Sequence, residues 1–328
     1  MYPDVPEYSG RNKYTFDDIF QAMAEEQSKG HDVIGFPHHP LMKIGSWGHY
    51  TVNWTFLAQG VEQSEARNQL LRGVETYSKW GAAIGKYSEY PMAWPYETES
   101  MVDQPSYWVE NGLWEWSKDE QKYQRFALIA SSDNHAVDRP GSASMESRLA
   151  KSHPNPAGIV AAYAVHNTRS EIWDALNTCD VYGNQALKIR ANVRFNDHLA
   201  YGQWINTSSP LRIRITALST FPGLDSSGRS MKPDGYEADE LDYPITDIWV
   251  IKKDTDKGQP WCKVLQHITP NADLVVANIE DPDVQPNDFY YVVIRQKGQH
   301  MQTNEESETP RDVYTAFLGP VFIDQVNE

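Results

Sequence analysis

The sequence predicts an α/β chain in two parts, a parallel α/β barrel segment over residues 1–185 and a β-rich, sandwich-like domain over residues 186–328. Three observations carry that expectation. Apolar runs that end in ligand-type side chains recur three times in the first part, strict alternation of apolar and polar residues begins near residue 186, and few helical stretches follow it. Parallel barrels build their active sites from loops at the C-terminal ends of their strands, which is where the three side-chain groups fall.

The elements follow in order. Thr15 is placed as an N-cap, and Asp17 and Asp18 suit the positive end of a helix dipole, so a helix is expected through about Gln27 and ended by Gly30. His31-Asp32-Val33-Ile34-Gly35-Phe36 reads as a short buried strand that runs into Pro37-His38-His39-Pro40. Gln69 to Tyr77 is a second strand and delivers Glu75 near its end, and Phe126 to Ala130 is a third, opening into Ser131-Ser132-Asp133-Asn134-His135. Gly158 to Ala164 reads as a further buried strand, and Thr168-Arg169-Ser170-Glu171 as a capping box ahead of a helix over 172–177. In the second part, 188–195, 211–216, 247–251, 290–295 and 315–323 read as strands, and the polar segments 219–244 and 299–312 as long mobile loops.

Composition excludes several classes. The formal net charge of −16 and the lack of a Lys/Arg cluster argue against sequence-independent nucleic-acid binding, which needs cations to displace counterions from phosphates. Cys179 and Cys262 are too far apart for a CxxC site, so neither a disulfide framework nor a thiolate metal centre is expected. No run of about 18 apolar residues occurs, so no membrane span is expected, and the first residues lack a signal-peptide pattern. The expected location is soluble, cytoplasmic by default, with periplasmic and secreted locations left open.

Asp133-Asn134-His135 is the sharpest chemical feature. A carboxylate and an imidazole two residues apart offer a hard oxygen and a borderline nitrogen from one loop, a mixture that suits Zn, Mn or Fe. By itself an Asp-x-His is weak, because a loop Asp that caps backbone amides beside an unrelated His gives the same pattern. The bland alternatives for the other groups are a satisfied loop histidine at His39 and, for Glu75, a carboxylate paired with Arg72 or Lys79. Trp47, Trp54, Trp80, Trp94 and Trp108 crowd the stretch between these motifs, as a core, an interface or a pocket wall would require.

The order and spacing of Pro37-His38-His39-Pro40, Val74-Glu75-Thr76-Tyr77-Ser78, Ser131-Ser132-Asp133-Asn134-His135 and Thr168 to Leu176 resemble a family within the PHP (polymerase and histidinol phosphatase) superfamily. Asp281-Pro282-Asp283 and Phe289-Tyr290-Tyr291-Val292 extend the resemblance into the β-rich part, so that it covers most of residues 15–325. It implies a distorted, TIM-like (β/α)7 barrel that holds two or three divalent metals at its strand ends and hydrolyses phosphoesters with water acidified by those metals. Carried over by motif, His38, Glu75, Asp133 and His135 are metal ligands, with His39 a close alternative to His38. His39 or His49 would protonate a leaving group, and Arg139 and Lys43, in the adjoining loops, would clamp a phosphate.

The chain departs from the family at its opening. It has no His-x-His pair, and no Asp-His pair in its first part, where the family carries both. A barrel without its first strands would expose a strand edge and half its core. The expectation is therefore a companion polypeptide that supplies those motifs, and a small-molecule substrate bearing a phosphate. The competing expectation is a non-catalytic binding or structural subunit with a degenerate site.

Overall fold

The computed structural model describes residues 16–37, 70–78, 81–92, 108–118, 126–132, 158–185, 189–219, 243–297 and 313–327. Three helices and thirteen strands lie among them. Helix α1 (Phe16–Ser28) ends where Gly30 takes φ +82°, a left-handed conformation that glycine adopts without a Cβ penalty. Strands β1 (Gly73–Ser78), β2 (Gly81–Ala82) and β3 (Ala127–Ala130) form a small sheet in the order β2-β1-β3, with β1 and β3 parallel. Helix α2 (Val109–Trp116) turns the buried face carrying Val109, Leu113, Trp114 and Trp116 into the core.

Strand β4 (Gly158–Ala162) is followed by helix α3 (Arg169–Thr178) and β5 (Val181–Gln185), and β4 and β5 pair antiparallel. Thr168 caps α3 by accepting a hydrogen bond from Glu171 N at 3.2 Å. The Glu171 carboxylate, however, turns to His166, accepting from its backbone N at 2.5 Å and meeting its ring Nδ1 at 2.7 Å. The remaining strands are β6 (Arg190–Phe195), β7 (Gln203–Ser208), β8 (Leu211–Leu218), β9 (Ile245–Lys253), β10 (Cys262–Ile268), β11 (Leu274–Asp281), β12 (Phe289–Lys297) and β13 (Val313–Asn327).

A seven-stranded sheet in the order β10-β9-β12-β13-β5-β4, with β7 alongside the end of β13, forms the centre of the molecule. Its strands come from both sides of residue 186. One face packs on the three-stranded sheet β11-β8-β6, where Ile248, Val250, Val292 and Ile294 meet Val193, Phe195, Ile213 and Ile215. The opposite face carries Trp249, Ile251, Tyr291, Val293 and Phe317 against Val74, Tyr77, Trp108, Leu113 and Trp114. Strands β9 and β12 are apolar at successive positions because alternate side chains enter two different cores.

This architecture overturns the expected fold class. The described residues are mostly strand in antiparallel sheets and close no barrel, so the first part is not a TIM-like (β/α)7 barrel. Parallel pairing among them is limited to β1–β3, β7–β13 and the bridges Gly35–Leu71 and Ser88–Cys262. Helix α3 joins two antiparallel neighbours instead of making the crossover that a barrel repeats. The apolar runs that suggested barrel strands owe their composition to layering. Ala127 and Ile129 face Val181 and Cys179, while Leu128 and Ala130 face the aromatic core. Residues 158–164 are not a buried strand either: β4 is the edge of its sheet, and Val160 is exposed.

The alternating runs of the second part all form strands, whereas β7, β10 and β11 were not expected. Cys179 and Cys262 are both buried free thiols. No helix among the described residues is long and apolar enough to cross a membrane. The predicted N-cap Thr15 lies outside the described residues, as does most of the two predicted mobile loops.

Candidate functional site

Three chain segments reach one end of the small sheet together. Gly35 N donates to Leu70 O at 2.7 Å, Arg72 N to Gly35 O at 3.2 Å, and Glu75 N to Pro37 O at 3.2 Å, so the segment around Gly35 runs parallel to β1 on one side. On its other side, β3 pairs parallel with β1 in the register Gly73–Ala127, Val74–Leu128 and Glu75–Ile129. Pro37, Glu75 and Ser131 therefore lie toward the same, C-terminal end of three neighbouring segments.

Glu75 is buried, with 3 % of its surface exposed. It sits beside Ile129 in the ladder, and the Ser131 hydroxyl, just past the end of β3, donates a short hydrogen bond to Glu75 Oε2. The register shifts between Glu75 and Tyr77, which pairs with Ala130, so Ser131 follows directly on the last pair of the ladder. Arg72, one of the partners considered for Glu75, donates through Nε to Asn177 Oδ1 at 3.0 Å on α3.

Of the metal ligands, proton donors and phosphate clamps expected from the sequence, the described part contains Glu75 alone. His38 and His39 follow directly on Pro37, and Asp133 and His135 follow on Ser132, but these four lie outside the described residues, as do Lys43, His49, Lys79 and Arg139. Trp108 is a core residue, edge-on to Tyr87 at 6.4 Å, and the other four tryptophans are likewise outside. The Asp-His pair that the sequence does contain, Asp197-His198, sits in the exposed turn after β6. Among the described residues no three His, Cys, Asp or Glu side chains converge as a metal site would require.

Two buried ionic arrangements escaped sequence reasoning. Glu110, on α2, is fully buried and accepts from Gly85 N at 2.5 Å, Tyr87 N at 3.2 Å and Ser88 Oγ at 3.4 Å, while Ser88 Oγ makes a short bond with Tyr291 OH. Burial pushes its carboxyl up to about 7 in spite of those donors. The available signal was positional: Glu110 stands at i, i+3 and i+4 with Leu113 and Trp114, on the apolar stripe of its helix.

The second arrangement is Lys252, whose Nζ lies 2.7 Å from Asp281 Oδ2 and 3.0 Å from Asp288 Oδ2 and donates to Asp283 O at 2.8 Å. Tyr290 OH donates to Asp281 at 2.6 Å. Burial acts to raise both carboxyls. It is outweighed at Asp281 by the Lys252 and Tyr290 hydrogen bonds, which hold that group below its usual range, and it prevails at Asp288, which lies above it. This cluster fastens the β11–β12 connection, and it explains the Asp281-Pro282-Asp283 segment as a structural clasp.

Residues 113–206 match a family described as Protein of unknown function (DUF3604). That span runs from α2 through β3, β4, α3, β5 and β6 into β7, and it covers less than half of the chain's 328 residues. No curated protein and no solved structure matches the chain.

Proposed function

We propose that this chain is a subunit or fragment of a metal-dependent hydrolase of the PHP type, acting on a phosphoester, with Glu75 as a metal ligand. The observation that carries the reading is the common direction of three segments, which brings Pro37, Glu75 and Ser131 to one end of the sheet, each next to a ligand-type motif in the sequence. In this reading His38 or His39, Asp133 and His135 complete the set, and a companion polypeptide adds further ligands. The described residues suit the group: Glu75 is a hard oxygen donor in a buried position, and the Ser131 hydroxyl fixes its carboxylate as outer-shell partners of metal ligands do.

A divalent cation bound there supplies charge neutralisation for a substrate's phosphoryl oxygens and acidifies water. The chain's own part is to orient Glu75 through Ser131, and to offer Arg139 as a bidentate clamp for the phosphate. His39 is the proton donor for the leaving group in the same reading.

The test is metal content by mass spectrometry on the full chain purified with any companion, compared with Glu75→Gln and Ser131→Ala. Glu75→Gln should remove bound Zn, Mn or Fe, and Ser131→Ala should weaken it by about ten-fold, the low end for a supporting residue. Equal metal content in all three proteins would rule out Glu75 as a ligand. A non-catalytic binding subunit is the second reading, favoured by the hydrogen bond that already engages Glu75 within the chain; its signature is a folded, partnered chain that holds no metal.

A further inference from the structure

The outward face of the three-stranded sheet gathers arginines that the sequence keeps apart. Val193, Phe195, Ile213 and Ile215 turn into the core shared with the central sheet, so the residues between them face solvent. Arg194 on β6 is directly opposed to Arg214 on β8. Two residues along β8, Arg212 is opposed to Glu280 on β11, and at the other end Arg190, Leu218 and Leu274 form one row across the three strands. All four arginines are exposed.

Like charges directly opposite each other destabilise a sheet, so the Arg194–Arg214 pair is not there for the fold. Arg194 is steadied by neutral groups, donating through Nε to Asn192 Oδ1 at 3.1 Å and through Nη1 to Asp197 O at 3.0 Å. Among the described residues none of the four arginines forms an ion pair, and Glu280 is the one carboxylate within the outward rows. These uncompensated cations stand on a chain whose formal net charge is −16. No lysine shares the face, and arginine differs from lysine in the planar fork that grips a carboxylate through two hydrogen bonds.

The same face is apolar at one end, where Leu218 is 37 %, Leu274 60 % and Val276 56 % exposed. Its size selects the occupant. Three strands about 4.8 Å apart make a strip about 10 Å wide, and alternate residues along them make it about 20 Å long. One extended polypeptide segment of about six residues fills that strip. A nucleic acid or an anionic bilayer would bring its charge against the wider acidic surface as well, where repulsion opposes it.

We propose that the outward face of β6, β8 and β11 docks an extended acidic segment of a partner protein. Its carboxylates pair with Arg194, Arg212 and Arg214, and its apolar side chains lie on Leu218, Leu274 and Val276. The central sheet stands between this face and the core that contains β1, so the surface stands or falls separately from the hydrolase reading.

Fluorescence anisotropy of a labelled synthetic peptide, with alternating glutamates and a leucine pair at one end, tests it against the full chain. The peptide should bind, and binding should weaken with added salt as the exposed charges are screened. The same peptide with glutamine in place of every glutamate should bind about ten-fold more weakly or worse, and so should the glutamate peptide to the double variant Arg194→Gln/Arg214→Gln. That variant removes the opposed like charges, so its urea midpoint should match or exceed the wild type's, which separates a lost docking surface from a lost fold. Arg212→Gln, which leaves the opposed pair in place, should weaken the peptide in the same direction. A wild type that does not bind the peptide, or variants that bind it equally well, overturns the proposal. So does tighter binding of single-stranded DNA of the same charge, or of vesicles containing phosphatidylserine, which would assign the face to a nucleic acid or a membrane.

Discussion

Glu110 shows how much one buried carboxyl can bias stability. In an unfolded chain its pKa returns to about 4.3, whereas the fold holds it at about 7. The folded state therefore binds a proton that the unfolded state has released between those values. Its contribution is fully present below about pH 4 and is lost as pH rises through 7, an effect of roughly 3–4 kcal/mol. Glu110→Gln keeps the acceptor for Gly85 and Tyr87 and cannot ionise, so its urea midpoint should fall less than wild type's between pH 5 and 8 and be the higher of the two at pH 8. Parallel pH profiles for the two proteins would mean that Glu110 stays charged in the fold. Asp281 works in the opposite sense. Its lowered pKa stabilises the fold above the ordinary carboxylate range and ceases to do so as pH falls through its folded value.

At the scale of elements, the junction of the small sheet with the central one depends on the absence of side chains. A Cβ on Gly183 of β5 would come 2.8 Å from Ala130 N and 2.8 Å from Ile129 C, and neither backbone atom can rotate away. Gly183→Ala should therefore separate β5 from β3 and cost about 1–3 kcal/mol in urea denaturation, as overpacking does. A neutral substitution would show that the two sheets slide freely past each other. Gly158 at the start of β4 lies as close to Ser131 and donates to its O at 2.9 Å, so the same junction sets the surroundings of Glu75. Sequence reasoning read β1 and β3 as strands and placed Glu75 near a strand end, because short apolar runs bounded by polar loops are informative. It could not read their neighbours. The residues across from a strand are fixed by pairing between segments far apart in the chain, as Glu75 and Ile129 are.

For the whole molecule, the central sheet is shared by two cores, and β9 and β12 place alternate residues into each. Each buried aliphatic or aromatic side chain contributes about 1.5–3 kcal/mol, so losing either core exposes one full face of the same strands. The two parts of the chain should consequently unfold together. Tryptophan fluorescence reports the core with Trp108, Trp114, Trp116 and Trp249, and far-UV circular dichroism reports the strands of both cores. The two signals should trace a single coincident transition in denaturant. Separate transitions would show that the face covered by β6, β8 and β11 is an independent folding unit.

By itself the sequence determined the local features: the helix ended by Gly30, the Thr168 cap, the alternating strands of the second part, and a carboxylate near the end of β1. These are legible because capping, turn preference and side-chain period act between residues a few positions apart. Only the tertiary structure decided that the first part is layered on a mostly antiparallel sheet, that β4 and β5 belong to that sheet, and that Glu110, Arg295, Thr315 and Gln185 are buried. A strand apolar at successive positions has the same composition whether helices or a second core cover its other face. Which of them does so depends on pairings across the whole chain, and those are fixed by packing.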